Sequence, residues 1–241
     1  APSDIQVGHS FAYSLRVEDR WGNLVEKPRE IIHPGWETPG IKTILVKVEE
    51  LDLIAESNPI NVTKDTPRYR KFWGDFHGQS GETIGSKSIE HYFSYGRDAA
   101  RLDIIGHQGN DFMITDEYWQ HINRVSSEYY EPGKFVTFPG YEWSANTPVG
   151  GHRNIFFTSE GENISRSSCD LLPGNTSVYE DSITYVELGQ KLKKQTKGKF
   201  FSFAHVGGNY ADLAMHDPDH EVAVEVHSAW GTFEWFLREA L

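Results

Sequence analysis

The rhythm of the chain changes at Pro67, and that change constrains the fold more than any other feature. After it, short apolar runs near Lys71–Gly74, Asp103–Gly106, Phe135–Pro139, Asn154–Phe157, Phe200–Ala204 and Val222–Val226 alternate with helical stretches at Ser88–Ala100, Thr115–Tyr129, Ser182–Lys194 and Thr232–Leu241. Strands and helices alternating at this spacing predict an α/β domain on a parallel sheet over residues 67–241. Residues 1–66 carry strand and turn signals instead. Phe11, Tyr13, Leu15 and Val17 alternate with other residues, Asp19 to Asn23 reads as a turn, and further strands are expected at Ile41–Val48 and near Ile60–Val62. A complete immunoglobulin-type sandwich takes about 100 residues and seven strands, so this segment predicts a partial β-sandwich-like module. Glu160–Asp181, rich in Ser, Gly, Asn and Asp, reads as a long surface loop.

Five of the six predicted strands after Pro67 run at their carboxyl ends into residues that bind metals or move protons. The first leads to Asp75, His77 and Gln79; the second to His107, Asn110 and Asp111; the third to Glu142; the fifth to His205; the sixth to Glu225 and His227. Ligand sites of parallel α/β folds lie at the carboxyl ends of the strands. Asp75, His77 and Gln79 occupy alternate positions, which in an extended segment aim at one point. A set of imidazoles and carboxylates without thiolate suits zinc, iron or manganese in water-accessible sites. Arg153, beside His152, offers a planar fork for an anionic substrate or for a salt bridge. Trp230 is a candidate pocket wall. His9, His33, His91, His121, His216 and His220 fall in the β region, in helices or in a loop, and read as solvated or structural.

Composition excludes several classes. With 23 basic and 35 acidic side chains the formal charge is −12, which repels a nucleic-acid backbone. The single cysteine, Cys169, rules out an internal disulfide framework and Cys-rich zinc modules. No apolar run approaches the roughly 20 residues of a membrane helix and no signal-peptide pattern opens the chain, so a soluble chain is expected.

Asp75-Phe76-His77-Gly78-Gln79-Ser80 resembles the opening motif of the PHP (polymerase and histidinol phosphatase) superfamily, Asp-Leu-His-x-His-Ser, with the neutral amide of Gln79 in place of the second histidine. Leu102 to Ile105 looks like the next PHP strand, Gly140-Tyr141-Glu142 like the motif of its bridging glutamate, His152 like the histidine that follows, and Ala204-His205 like its Ala-His-Pro motif. The chain is more similar still to a PHP-like group, domain-of-unknown-function family 3604, through Ser57-Asn58-Pro59-Ile60, Trp73 to Ser80, Gly109 to Phe112 and His227 to Thr232. The resemblance implies a distorted (β/α)7 barrel holding two or three divalent ions (manganese, zinc or iron). His77, Gln79, Glu142, His152, His205, Asp75 and one of His107, Asn110 or Asp111 would be ligands, with Glu225, His227 and Arg153 in catalytic or orienting roles. A PHP barrel closes with a late Asp-x-His pair that this chain lacks, so the resemblance also implies a missing C-terminal remainder that completes the barrel.

The expected function is metal-dependent hydrolysis of a small phosphorylated substrate by activated water. Two alternatives carry weight: a non-catalytic protein that binds a metal or ligand, and a metal-dependent hydrolase of another bond, since one fold serves many chemistries.

Overall fold

The computed structural model describes residues 1–49 and 52–241. Its described residues form two compact units, Ala1–Trp73 with Arg97–Asp103, and Gly74–Gly96 with Ile104–Leu241.

The first unit holds seven strands in three small sheets. β1 (Asp4–Gln6) and β7 (Ile60–Thr63) pair in parallel, with β4 (Gly40–Lys42) antiparallel on the other side of β7. β2 (Phe11–Leu15) and β3 (Arg29–His33) form one antiparallel pair, and β5 (Leu45–Val48) and β6 (Leu53–Glu56) another. The core is Ile5, Ile44, Ile60 and Val62, with Phe11, Tyr13 and Trp36 packed against it. The single strand expected over Ile41–Val48 is broken because the Ile44 amide leaves the ladder and donates to the Ser57 hydroxyl at 2.9 Å, burying the Ile44 side chain.

The second unit begins with a parallel three-stranded sheet, ordered β10-β9-β8, made of β8 (Gly74–Gly78), β9 (Ile104–His107) and β10 (Val136–Phe138). Helices fill two crossovers. α1 (Ile89–Ser94) is capped by Ser88 and continues as a π-helical turn; α2 (Asp116–Tyr129) starts at Thr115, whose hydroxyl accepts from the Tyr118 amide at 3.1 Å.

The expected (β/α)7 barrel is not formed; among the described residues none of this unit's sheets closes on itself. After β10 the alternation of strand and helix gives way to an antiparallel pair, β11 (Gly140–Ser144) with β12 (His152–Phe157). The reason lies in residues 145–151, because a parallel return needs a crossover of about a dozen residues or more. β13 (Phe200–Ala204) then pairs antiparallel with β12, and only β14 (Glu221–Val224) lies parallel beside β13. The result is a mixed sheet ordered β11-β12-β13-β14, with α3 (Tyr185–Thr196), opened by a Thr184–Glu187 capping box, in the connection before β13. The short β15 (His227–Ser228) and β16 (Gly231–Thr232) form a hairpin ahead of α4 (Glu234–Ala240).

Strand alternation sorts the mixed sheet into two kinds of face. Cross-strand pairs Ser144↔His152, Glu142↔Asn154 and Gly140↔Phe156 put two polar pairs and one apolar pair on a single face. At the apolar end, Phe156, Phe201 and Phe203 pack with Phe76 of β8 at ring separations of 4.9 to 6.2 Å. Gly140 is required there: a side chain would meet the Ile155 carbonyl at 2.6 Å and the Phe156 ring at 3.0 Å. At the polar end of the same face lies the candidate site.

Candidate metal centre

Five side chains from β8, β11, β12 and the ends of β13 and β14 converge as two donor groups that share one histidine. His77, His205 and Glu225 form one group and Glu142, His152 and His205 the other, each with its donor atoms within 4.8 Å of one another. Donor atoms around an ion with bonds of 2.0–2.2 Å stand about 3–4.4 Å apart, so this spacing fits a first coordination shell.

Glu225 organises the first group. Its amide donates to the Ala204 carbonyl at 2.9 Å, which extends the β13–β14 ladder by one residue and brings the carboxylate back over the end of β13. Oε2 lies 3.0 Å from His77 Nδ1 and 2.7 Å from His205 Nδ1, and accepts from Asn154 Nδ2 at 2.7 Å. The two imidazoles stack with centroids 4.5 Å apart. A carboxylate that accepts both Nδ1–H groups fixes the tautomer that leaves each Nε2 bare. Burial disfavours the imidazolium of His77. The hydrogen bond and charge of Glu225, with the charges of Glu142 and Asp75, outweigh that and lift its pKa above the ordinary value. Burial likewise pushes Glu225 up, and the hydrogen bonds and charges of His205 and His77 more than reverse it, holding the carboxyl below its ordinary range.

The second group is less satisfied. His152 Nδ1 lies 2.5 Å from Glu142 Oε1, yet the pair lacks hydrogen-bond alignment, and this buried nitrogen has no partner among the described residues. His205 Nε2 faces the same carboxylate oxygen at 3.8 Å. The amide oxygen of Asn154 is also buried without a partner. Gly207 keeps the His205 side of this group open, because a side chain there would meet His205 Nε2 at 2.7 Å. Unpartnered buried lone pairs of nitrogen and oxygen in one place suit a cation. The donor set of three imidazoles and two carboxylates suits zinc, manganese or iron.

Not every strand-end residue arrives. Asp75, His77 and Gln79 do not aim at one point, since the register between β8 and β9 shifts between Asp75 and Gly78 and breaks the alternation. Asp75 accepts the His77 amide at 2.9 Å. Gln79 donates to Asn110 at 3.2 Å and accepts from the Ile84 amide, so only His77 joins the cluster. His107 is wholly buried; Nδ1 accepts from the Gly109 amide and Nε2 faces the Ser80 hydroxyl at 2.9 Å, leaving no lone pair for a metal, and burial lowers its pKa to about 3. Asp111 is equally enclosed, taking the Ser167 amide and hydroxyl, and burial pushes its pKa up to about 6 against those hydrogen bonds. It anchors the long loop rather than an ion.

Arg153 does not reach the site either. It neighbours His152 on β12 and therefore points to the opposite face, where it is fully buried. Its three nitrogens are committed to Glu221, the Gly150 carbonyl and the Asp212 carbonyl, and its guanidinium lies 4.3 Å over the Tyr185 ring. His227 is exposed, with Nδ1 2.8 Å from the Thr232 hydroxyl, and belongs to neither donor group. Asn154 is the site residue that the sequence analysis misses. The signal was available, since it stands two residues after His152 on one strand.

The model of the family described as protein of unknown function (DUF3604) matches residues 57–229. Among curated proteins, the chain is 24% identical to an uncharacterised protein of Chlamydia pneumoniae over 238 residues, covering 97% of this chain and 36% of that one. An uncharacterised protein of Chlamydia muridarum is 23% identical, with the same coverage, and one of Chlamydia trachomatis is 23% identical over 97% of this chain and 41% of its own length. The chain thus spans well under half the length of these relatives. No helix among the described residues is long and apolar enough to cross a membrane.

Proposed function

The chain belongs to the DUF3604 family, and from the geometry of its histidine centre we propose that it is a metal-dependent hydrolase. One observation carries the reading: two donor groups share His205, and the second leaves the buried His152 Nδ1 without a hydrogen bond beside a carboxylate.

In this reading His77, Glu142, His152 and His205 hold one or two divalent ions. Such an ion supplies Lewis acidity, bringing the pKa of a coordinated water down toward about 7. The chain's own residues do the rest. Glu225 holds the protons of His77 and His205 at their Nδ1 atoms and keeps the Nε2 lone pairs directed away from itself. Asn154 donates to Glu225 and so fixes the carboxylate between the two rings. Glu225 acts as a positioning residue; held ionised by its two histidines, it is a poor proton donor to a leaving group. The likeness of the Asp75–Ser80 motif to the PHP superfamily supports a phosphoester as the bond cleaved. With Arg153 spent on Glu221, charge on such a substrate is met by the ions and not by that guanidinium.

Turnover of an aryl phosphate by the full-length protein with added manganese or zinc tests this. Activity is expected to vanish with chelator and in His77→Ala. The 2.7 to 3.0 Å contacts of Glu225 with His205 and His77 support a second reading, a self-satisfied network that binds without chemistry. Purified protein with no stoichiometric metal and no turnover would establish that reading in place of the first.

A further inference from the structure

Beside the histidine centre lies a cluster of exposed aromatic rings for which the proposed hydrolysis has no use. Tyr210, Trp230 and Trp235 are 46%, 76% and 40% exposed, and with Val206, Gly208 and Phe233 they line one pocket containing no charged side chain. Large aromatics grouped in contact with solvent mark recognition surfaces more often than accidents of packing.

Three features say what such a pocket takes. First, it adjoins the centre. Val206 follows His205 directly, and Gly208, two residues further on, presses so closely on His152 that a side chain there would meet the ring at 3.0 Å. One glycine therefore separates the pocket from a candidate metal ligand. Second, the lining is neutral, so the bound group is neutral even if the bond cleaved next to it is not. Third, the rings make a corner and not a slot: Tyr210 and Trp235 meet edge to face at 88° with centroids 5.5 Å apart. A corner offers one flat apolar face and one edge. The Tyr210 hydroxyl and the indole N–H groups of Trp230 and Trp235 have no hydrogen-bond partner among the described residues, which leaves polar tips around an apolar platform. A pyranose has the matching character, an apolar C–H face ringed by hydroxyls.

We propose that Tyr210, Trp230 and Trp235 form a saccharide-binding shelf that seats a sugar ring next to the histidine centre. The substrate class is then an ester carried on a neutral saccharide. This deepens the reading of the centre as a hydrolase, although binding of the ring is separable from hydrolysis.

The test titrates full-length protein with neutral hexasaccharides of glucose, xylose, mannose and N-acetylglucosamine, followed by tryptophan fluorescence and saturation-transfer NMR. At least one is expected to bind, and Trp230→Ala and Trp235→Ala should each weaken it about tenfold or more. Trp21→Ala, which removes a 72% exposed tryptophan of the other unit, should change nothing. Binding that persists in chelator-treated protein and in His77→Ala, without any phosphatase activity, would support the shelf while removing the hydrolase reading. The proposal is overturned if no saccharide binds at millimolar concentration, or if only aryl compounds such as indole bind with sensitivity to Trp230. It is overturned equally if acrylamide fails to quench Trp230 and Trp235 in full-length protein, because other parts of that protein then cover the shelf.

Discussion

His152 and His107 are both strand-end histidines in the same unit, yet their ring nitrogens meet different surroundings. Both ring nitrogens of His107 are answered: an amide donates to one, a serine hydroxyl faces the other, and Tyr118 lies 2.5 Å from that hydroxyl. Asp111 and Arg153 are closed in the same way, each held by backbone groups and by partners on neighbouring segments. Around His152, Glu142 and Asn154 the answers are missing, and buried nitrogen and oxygen face one another at short range. Residue type and strand-end position are shared by both regions. Hydrogen-bond satisfaction separates them: the closed region holds the fold, and the open one is poised to hold something else.

Substitutions can break this contrast, and the largest effect belongs to the closed region. Arg153→Met leaves Glu221 buried with His216 as its one ionic partner among the described residues, and losing one member of a buried pair costs about 3–5 kcal/mol. Urea unfolding should show that loss while metal bound per folded molecule stays unchanged. In the open region the order reverses. Glu142→Gln should leave the urea midpoint close to that of the parent but weaken metal retention by about 100-fold or more, read by elemental analysis after dialysis. Glu225→Gln, acting only through the tautomers of His77 and His205, should weaken it by about tenfold to 100-fold. If Glu225→Gln were as damaging as Glu142→Gln, Glu225 would itself be a ligand.

Much of this was legible in the sequence. Local signals located the α2 and α3 helices and the Phe200–Ala204 strand, because the Thr115 cap, the Thr184–Glu187 capping box and that apolar run are decided by neighbours in the chain, whereas the strand expected at Lys71–Gly74 lies at Gly74–Gly78 and β11 was not expected. Strand direction was not. Whether β11 and β12 run parallel depends on the room residues 145–151 allow, and β11 was not among the expected strands: Glu142 was placed beyond the end of the Phe135–Pro139 strand, with Asn154–Phe157 as the next barrel member. The same holds at the site. His77, Glu142, His152 and His205 were readable as a set, but the bulge that turns Gln79 away depends on pairing with β9, which no motif displays. Period-two alternation, applied to Asp75, His77 and Gln79, also separates His152 and Asn154 from Arg153; applied to β12, it places the arginine on the far face and the asparagine in the site.

The smallest predicted effect tests whether the closed region is closed to protons as well. His107 has a folded pKa of about 3 against an ordinary value of 6.5, so between those values the unfolded chain takes up a proton that the folded one refuses. Its contribution to stability is fully present above 6.5 and is lost as pH falls toward 3. Asp111 has the opposite sign. With a folded pKa of about 6 against 3.8, its contribution is present below 3.8 and is lost as pH rises through 6. Each proton changes the slope by at most about 1.4 kcal/mol per pH unit. Urea midpoints at pH 7, 6, 5 and 4 should therefore fall less steeply toward acid in His107→Gln than in the parent, and more steeply in Asp111→Asn. Equal slopes in all three would mean that water reaches both side chains, and that the contrast between open and closed polar residues is one of hydrogen bonding alone.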